Sequence, residues 1–161
     1  MKRKFLSLLI SLCMVLTMVP TAFAETDVSA ETLQAQINAL DDGATIKLEK
    51  DYNEDIRIAK EKTLTLDLNG HTLTNVEDHT IANYGTLTII DSSDEGKGTV
   101  DNVTHAKAAL HNAEDAKVTL RGGSFTRSKE AGNSAESSGG NSFYTLQNYG
   151  TMTVFEGVSV S

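Results

Sequence analysis

Asp91, Ser93, Asp94 and Glu95, closed by Gly96, put several oxygen donors into one short stretch of chain. A tight loop of oxygens is what a hard cation such as Ca²⁺ takes, in sets of about six to eight. The twelfth position counted from Asp91 is Asn102 rather than the Glu that would close such a loop with two oxygens. The stretch therefore reads as a solvated acidic loop. No cofactor is expected, and Ca²⁺ is the one ion the loop could begin to hold. His71, His79, His105 and His111 stand at no metal-binding spacing and no cysteine joins them, so no metal site is expected. For acid–base work, Asp41-Asp42 offers a carboxylate pair and Arg121, beside Gly122-Gly123, the best candidate base. The pair falls at the end of a predicted helix, and Arg121 reads more simply as a solvent-facing strand residue. No catalytic residue is assigned.

The elements that must carry these groups show themselves as a repeat. Thr63-Leu64-Thr65-Leu66, Thr86-Leu87-Thr88-Ile89, Lys117-Val118-Thr119-Leu120 and Thr151-Met152-Thr153-Val154 each alternate polar and apolar residues, the period of a half-buried strand. The turn before the strand repeats as well. Asn83-Tyr84-Gly85 returns as Asn148-Tyr149-Gly150, and Asn112-Ala113-Glu114-Asp115 is a looser copy with two inserted residues. Measured between Leu64, Leu87, Val118 and Met152, the repeats are 23, 31 and 34 residues long. The shortest suits one turn of a parallel β-helix, and the longer ones fit the same turn carrying insertions. Asp91 to Gly98 reads as one insertion and Lys129 to Asn141 as another, both expected to leave the repeat at one point.

Stacking such turns at about 4.8 Å would bury one continuous apolar column. It would also align the turn asparagines, whose amides can bond along the column, and Asn83, Asn112 and Asn148 are predicted to form that ladder. The alternative is that Asn-Tyr-Gly is simply a favourable turn. The outward T-x-T pairs resemble the flat arrays by which some β-helical proteins bind ice. Lys117 breaks the array, however, and Thr is in any case a good outward strand residue.

Ahead of the repeats, Leu33, Ile37 and Leu40 recur at helix spacing between Ala30 and Leu40. Ser29 is placed to cap the start and Gly43 to end it. This helix is expected to cover the open end of the first coil, with Ala44 to Lys50 and Asp55 to Ala59 as the first strands. Earlier still, Lys2, Arg3 and Lys4 precede the apolar run Phe5 to Val19, and Ala22-Phe23-Ala24 is a small-x-small cleavage site. The run is short for a membrane span, which needs about 20 residues, so a cleaved signal peptide is expected rather than an uncleaved anchor. Leu12 before Cys13 does not fit a lipoprotein signal. The expected organisation is residues 1–24 as signal peptide, 25–43 as cap helix and 44–161 as parallel β-helix coils. The alternating stretch Val158-Ser159-Val160-Ser161 leads us to expect the front part of a longer protein, the alternative being that this end pairs with another chain.

Removal of 24 of the 161 residues takes three basic residues and the only cysteine, leaving 11 basic against 22 acidic residues, a formal charge of −11. Nucleic acid and anionic membrane surfaces are poor partners for such a chain, and acidic polysaccharides would be repelled unless a cation bridged them. No disulfide framework is available. Pro20 is the sole proline, so the later backbone is free to donate along ladders.

Leu33 to Leu48 (LQAQINALDDGATIKL) resembles the cap helix and first strand of the pectate-lyase-like right-handed parallel β-helix superfamily. Leu64 to Leu73 (LTLDLNGHTL) is similar to a coil found in many secreted and surface β-helix proteins of bacteria. The resemblance spans nearly all of the chain after residue 24. It implies an all-β, right-handed parallel β-helix of about four coils with an N-terminal cap helix, incomplete at the C-terminal end. The fold hosts lyases, hydrolases, adhesins and proteins of no known activity. The superfamily's hydrolases use N-T-D, D-D, G-H-G and R-I-K motifs, but here His71 follows Gly70 and precedes Thr72, so G-H-G is missing. Inverting hydrolysis needs carboxyls about 6.5–9.5 Å apart, which no pair here can be assigned. Its lyases hold Ca²⁺ on several carboxylates beside a basic residue, and no spaced Asp cluster faces Arg57, Arg121 or Arg127. The expectation is a non-catalytic secreted or cell-surface module, stalk or adhesin-like, binding carbohydrate or a host or cell-surface protein. Recognition is expected through loops carrying Asp91, Asp94, Glu95, Asn133, Glu136 and Asn141. The competing expectation is the N-terminal part of a polysaccharide lyase or glycoside hydrolase whose catalytic coils lie elsewhere.

Overall fold

The computed structural model describes residues 31–128 and 144–161. The predicted signal peptide, Ser29 and the stretch from Lys129 to Asn141, with Asn133, Glu136 and Asn141, lie outside those residues. One short helix, α1 (Leu33–Ala39), is followed by β1 (Ala44–Lys47), β2 (Tyr52–Asn53), β3 (Ile56–Ile58), β4 (Thr63–Asp67), β5 (Thr72–Thr74), β6 (Ile81–Asn83) and β7 (Thr86–Ile90). The chain continues through β8 (Thr99–Asp101), β9 (Leu110–Asn112), β10 (Lys117–Leu120), β11 (Ser124–Thr126), β12 (Leu146–Asn148), β13 (Thr151–Val154) and β14 (Ser159–Val160).

These strands form three sheets in which every pairing is parallel. Sheet A has the order β1-β4-β7-β10-β13, sheet B β2-β5-β8-β11-β14 and sheet C β3-β6-β9-β12. The chain thus visits A, B and C in the same succession throughout, an arrangement compatible with a parallel β-helix. Parallel neighbours cannot be joined by a tight hairpin. Here each connection runs through the other two sheets.

Register explains why the sequence repeats. Leu64, Leu87, Val118 and Met152 are successive partners along sheet A, with Ala44 before them. Ile46, Leu66, Ile89, Leu120 and Val154 form the next apolar column two residues on. A one-residue slip would turn both columns to solvent. Sheet B adds Leu73, Val100 and Phe125, and sheet C adds Ile56, Ile81 and Leu110, all buried in one core.

Helix α1 differs from expectation at its start. Thr32, not Ser29, is the N-cap, its Oγ1 accepting from the amide of Ala35 at 3.1 Å. Leu33 and Ile37 are buried in the same core as the strands. Gln34 pairs with both backbone groups of Arg57 on β3, accepting from its N–H at 2.6 Å and donating to its carbonyl at 3.2 Å. The Glu54 carboxylate accepts from the free amides of Leu33 and Gln34, satisfying donors that a helix start leaves open. The two-residue strand β2 was not foreseen. The insertions also leave at different corners. Asp91 to Gly98 lies between sheets A and B, whereas residues 129–141 fall between β11 of sheet B and β12 of sheet C. Repeat length measured between anchors in one sheet does not reveal which corner has grown.

Candidate functional site

Asn83, Asn112 and Asn148 are register partners at the end of the sheet C strands. The Asn83 amide donates to Asn112 Oδ1 at 2.7 Å, and Asn112 donates to Asn148 Oδ1 at 2.8 Å. Asn83 also donates to the carbonyls of Gly85 in its turn and Lys117 at the start of β10, and Asn112 to those of Ala116 in its turn and Thr151 at the start of β13. Asn83 and Asn112 are fully buried, so these bonds satisfy groups that water cannot reach. The two Asn-Tyr-Gly turns each lie on a longer turn of the preceding level. A methyl on Gly85 would overlap the carbonyl oxygens of Ala59 and Lys62, and one on Gly150 those of Ala113 and Ala116. The same short-on-long nesting thus occurs twice.

A second buried asparagine set was not anticipated. Asn102 donates to the carbonyls of Asp78 and Ala108 and accepts from Thr104, while Asn75 donates to Asp78 and accepts from Val103. Both hold the connections between sheets B and C. No repeated tripeptide surrounds them to give the signal away.

The acidic loop is organised from within. Asp91 accepts from the amides of Gly70 at 2.8 Å, Ser93 at 3.2 Å and Gly98 at 2.7 Å, and from the Ser93 hydroxyl at 2.8 Å. Partial burial pushes its carboxyl up, but those donors outweigh it and hold it below the usual 3.8. Asp94 and Glu95 are exposed, and Glu95 pairs with Lys97. Similar carboxylate bonds to the following level recur: Asp51 to Thr72, Asp55 to Val76, Glu77 and Asp78, and Asp101 to Thr126 and Ser128. Part of the negative charge is therefore spent on backbone amides. Among the described residues, no three His, Cys, Asp or Glu side chains converge as a metal ion would require. Asp41-Asp42 follows α1, and Asp42 accepts from the Thr63 amide. Arg121 lies over the Phe155 ring at 4.1 Å.

The outward side of sheet C carries a different chemistry. Arg57, Ala82, His111 and Gln147 are successive register partners there. His111 Nδ1 and Gln147 Oε1 are 2.7 Å apart. The His111 ring stacks on His79 with centroids 4.8 Å apart, and it meets Tyr84 at 6.2 Å and Tyr149 at 5.6 Å. The Arg57 guanidinium covers Tyr84 at 3.7 Å. Tyr149 is 62% exposed and Tyr144 is 65% exposed. Comparison with protein-family models, with curated proteins and with solved structures finds no match to this chain. The site must be read from its own groups.

His79 is biased towards its neutral form. Burial lowers its pKa from 6.5, aided by His111 and opposed by Asp78. Its Nδ1 accepts from the amide of Ala108 at 2.9 Å, a role only the unprotonated nitrogen can play. Asp78 beside it is held below 3.8 chiefly by its hydrogen bond to Lys107. The ring row was illegible in the sequence because its members come from four separate strands and turns. The tyrosine of Asn-Tyr-Gly was the only trace.

Proposed function

We propose that this chain is a non-catalytic, secreted or cell-surface β-helix module that presents recognition groups on a rigid scaffold. The proposal includes a right-handed helix of about four coils of the pectate-lyase-like kind, capped by α1 and exported by cleavage after Ala24. The observation that carries it is the unbroken column Leu64–Leu87–Val118–Met152, kept although the connections between these residues differ in length by up to eleven residues. A scaffold that tolerates such variation at its corners is suited to displaying loops. Gln34 bonded to both backbone groups of Arg57 supports the cap, since it occupies an edge that would otherwise template association. Contacts with carbohydrate or with a cell-surface protein are assigned to Asp94 and Glu95 in the first insertion and to Asn133, Glu136 and Asn141 in the second.

Among the described residues, no helix is long and apolar enough to cross a membrane. The test is expression of the full chain in a secreting bacterial host. N-terminal sequencing of the extracellular product should begin at Glu25, and the product should bind a glycan or cell-surface protein array without altering its ligand. Release of reducing ends or of unsaturated sugars would replace this reading with the enzymatic one.

A further inference from the structure

We propose that the outward face of sheet C binds a neutral polysaccharide, laid along the stacking direction over Tyr84, His111 and Tyr149. This rests on the reading of the chain as a recognition module and adds to the contacts assigned to its two insertions a further surface, with its ligand class. Tyr84 and Tyr149 leave the two Asn-Tyr-Gly turns at equivalent positions two levels apart, roughly 10 Å at the usual strand spacing. His111 sits between them on the intervening level. The row follows the axis along which strands repeat, and that repeat is close to the rise per sugar of an extended glycan. Rings on alternate levels can therefore meet sugars of one chain in step.

The chemistry of the row is that of sugar recognition. A pyranose offers a C–H-rich face to a ring and hydroxyls at its rim, and tyrosine supplies an apolar body with a polar tip. Gln147 and His111 stand between the rings and bond to each other at 2.7 Å, which fixes their orientation before a ligand arrives. Beside them a hollow of about 270 Å³ is lined by Tyr144, Leu146, Gln147, Asn148 and Tyr149. Such large exposed rings, grouped rather than scattered, mark an interaction surface.

Charge selects the kind of glycan. The one formal charge within the row is Arg57, whose guanidinium already lies on Tyr84. At its margin Lys107 is paired with Asp78 at 2.8 Å. The chain as a whole carries a formal charge of −8, so an acidic polysaccharide is repelled at long range. A neutral chain does not meet that repulsion.

The full chain is titrated calorimetrically with cellohexaose, xylohexaose, mannohexaose and hexagalacturonate. At least one neutral hexamer should bind, with hexagalacturonate weaker than it. Tyr149→Ala and Gln147→Ala should each weaken binding by about tenfold, with unchanged melting curves showing that the fold is kept. Tyr149→Phe should retain most of the affinity, and Lys117→Ala on sheet A should leave it unaltered. Silence from all three neutral hexamers, preference for hexagalacturonate, or binding untouched by both Tyr149→Ala and Gln147→Ala overturns the proposal. Each of those failures leaves the recognition-module reading to its own array test. Cleavage of a hexamer removes both.

Discussion

The corner between sheets C and A and the corner between sheets A and B solve one problem with opposite chemistry. At the first, Asn83, Asn112 and Asn148 pass hydrogen bonds from level to level. At the second, Asp67 accepts from Asn69 and Ser92, and Asp91 accepts from Gly70, Ser93 and Gly98. Further along that corner stand Arg121 and Phe155, in ring contact. An amide has both a donor and an acceptor, so identical residues can propagate a column without end. An ionised carboxylate only accepts, so it gathers the amides of a loop but cannot pass the bond to another carboxylate. The amide corner must keep its residue from Asn83 through Asn112 to Asn148, and the column begins where Ile58 holds the equivalent place one level earlier. The carboxylate corner can change sequence and length, and it is there that Asp91 to Gly98 was accommodated.

The comparison breaks most severely at the middle of the amide column. Asn112→Ala removes the acceptor of Asn83 and the donor to Asn148, Ala116 and Thr151. Leaving several buried partners unmet should cost about 4 kcal/mol, read as a lower urea midpoint with little change with pH. Gly85→Ala tests the same corner by sterics. Its methyl would meet two backbone carbonyls that cannot swing aside, and about 3 kcal/mol should be lost. Loss below 1 kcal/mol for both would mean that neither amide nor close nesting governs this corner.

This contrast also accounts for what could be read from the chain in advance. The columns of Leu64, Leu87, Val118 and Met152 were visible because strand alternation and register are both local patterns repeated. The asparagine positions were visible because the column demands one residue type. By contrast, Asp51, Asp55 and Asp101 bond amides more than twenty residues away, and nothing beside an aspartate announces which distant amide it will meet. The strand β2 holds only two residues, too few to show a period. Helix α1 was readable from Leu33 and Ile37, but its start was set by Thr32, one of several residues able to cap. For the ring row on sheet C, the sequence carries tyrosines and histidines with no common spacing, since loops of unequal length separate them.

At the carboxylate corner the expected effects are smaller and depend on pH. Asp91→Ala should cost about 2 kcal/mol near neutrality, the scale for hydrogen bonds to an ionised group. Because the folded carboxyl lies below 3.8, the unfolded chain takes up the proton first. The stabilisation is complete above that value and falls away as pH drops through the folded pKa. Melting curves of the wild type and Asp91→Ala should therefore converge in acid. Parallel curves down to the lowest pH at which the fold survives would detach the loop from its carboxylate.

The smallest effect separates the ring row from both corners. His79 has its pKa lowered from 6.5, so at mildly acid pH the unfolded chain binds a proton that the native chain refuses. Stability contributed by the neutral ring is whole above about 6.5 and declines as pH falls towards the lower folded value. His79→Gln retains a planar amide whose oxygen can accept from Ala108 and never titrates. It should match the wild type above neutrality to within about 0.5 kcal/mol and lose less stability between neutral and mildly acid pH. The slope of melting temperature against pH in that window is the measurement, and an unchanged slope would show that His79 is not the group taking up the proton. A flattened slope would place this acid sensitivity on the Ala108 connection between sheets B and C, away from the asparagine column.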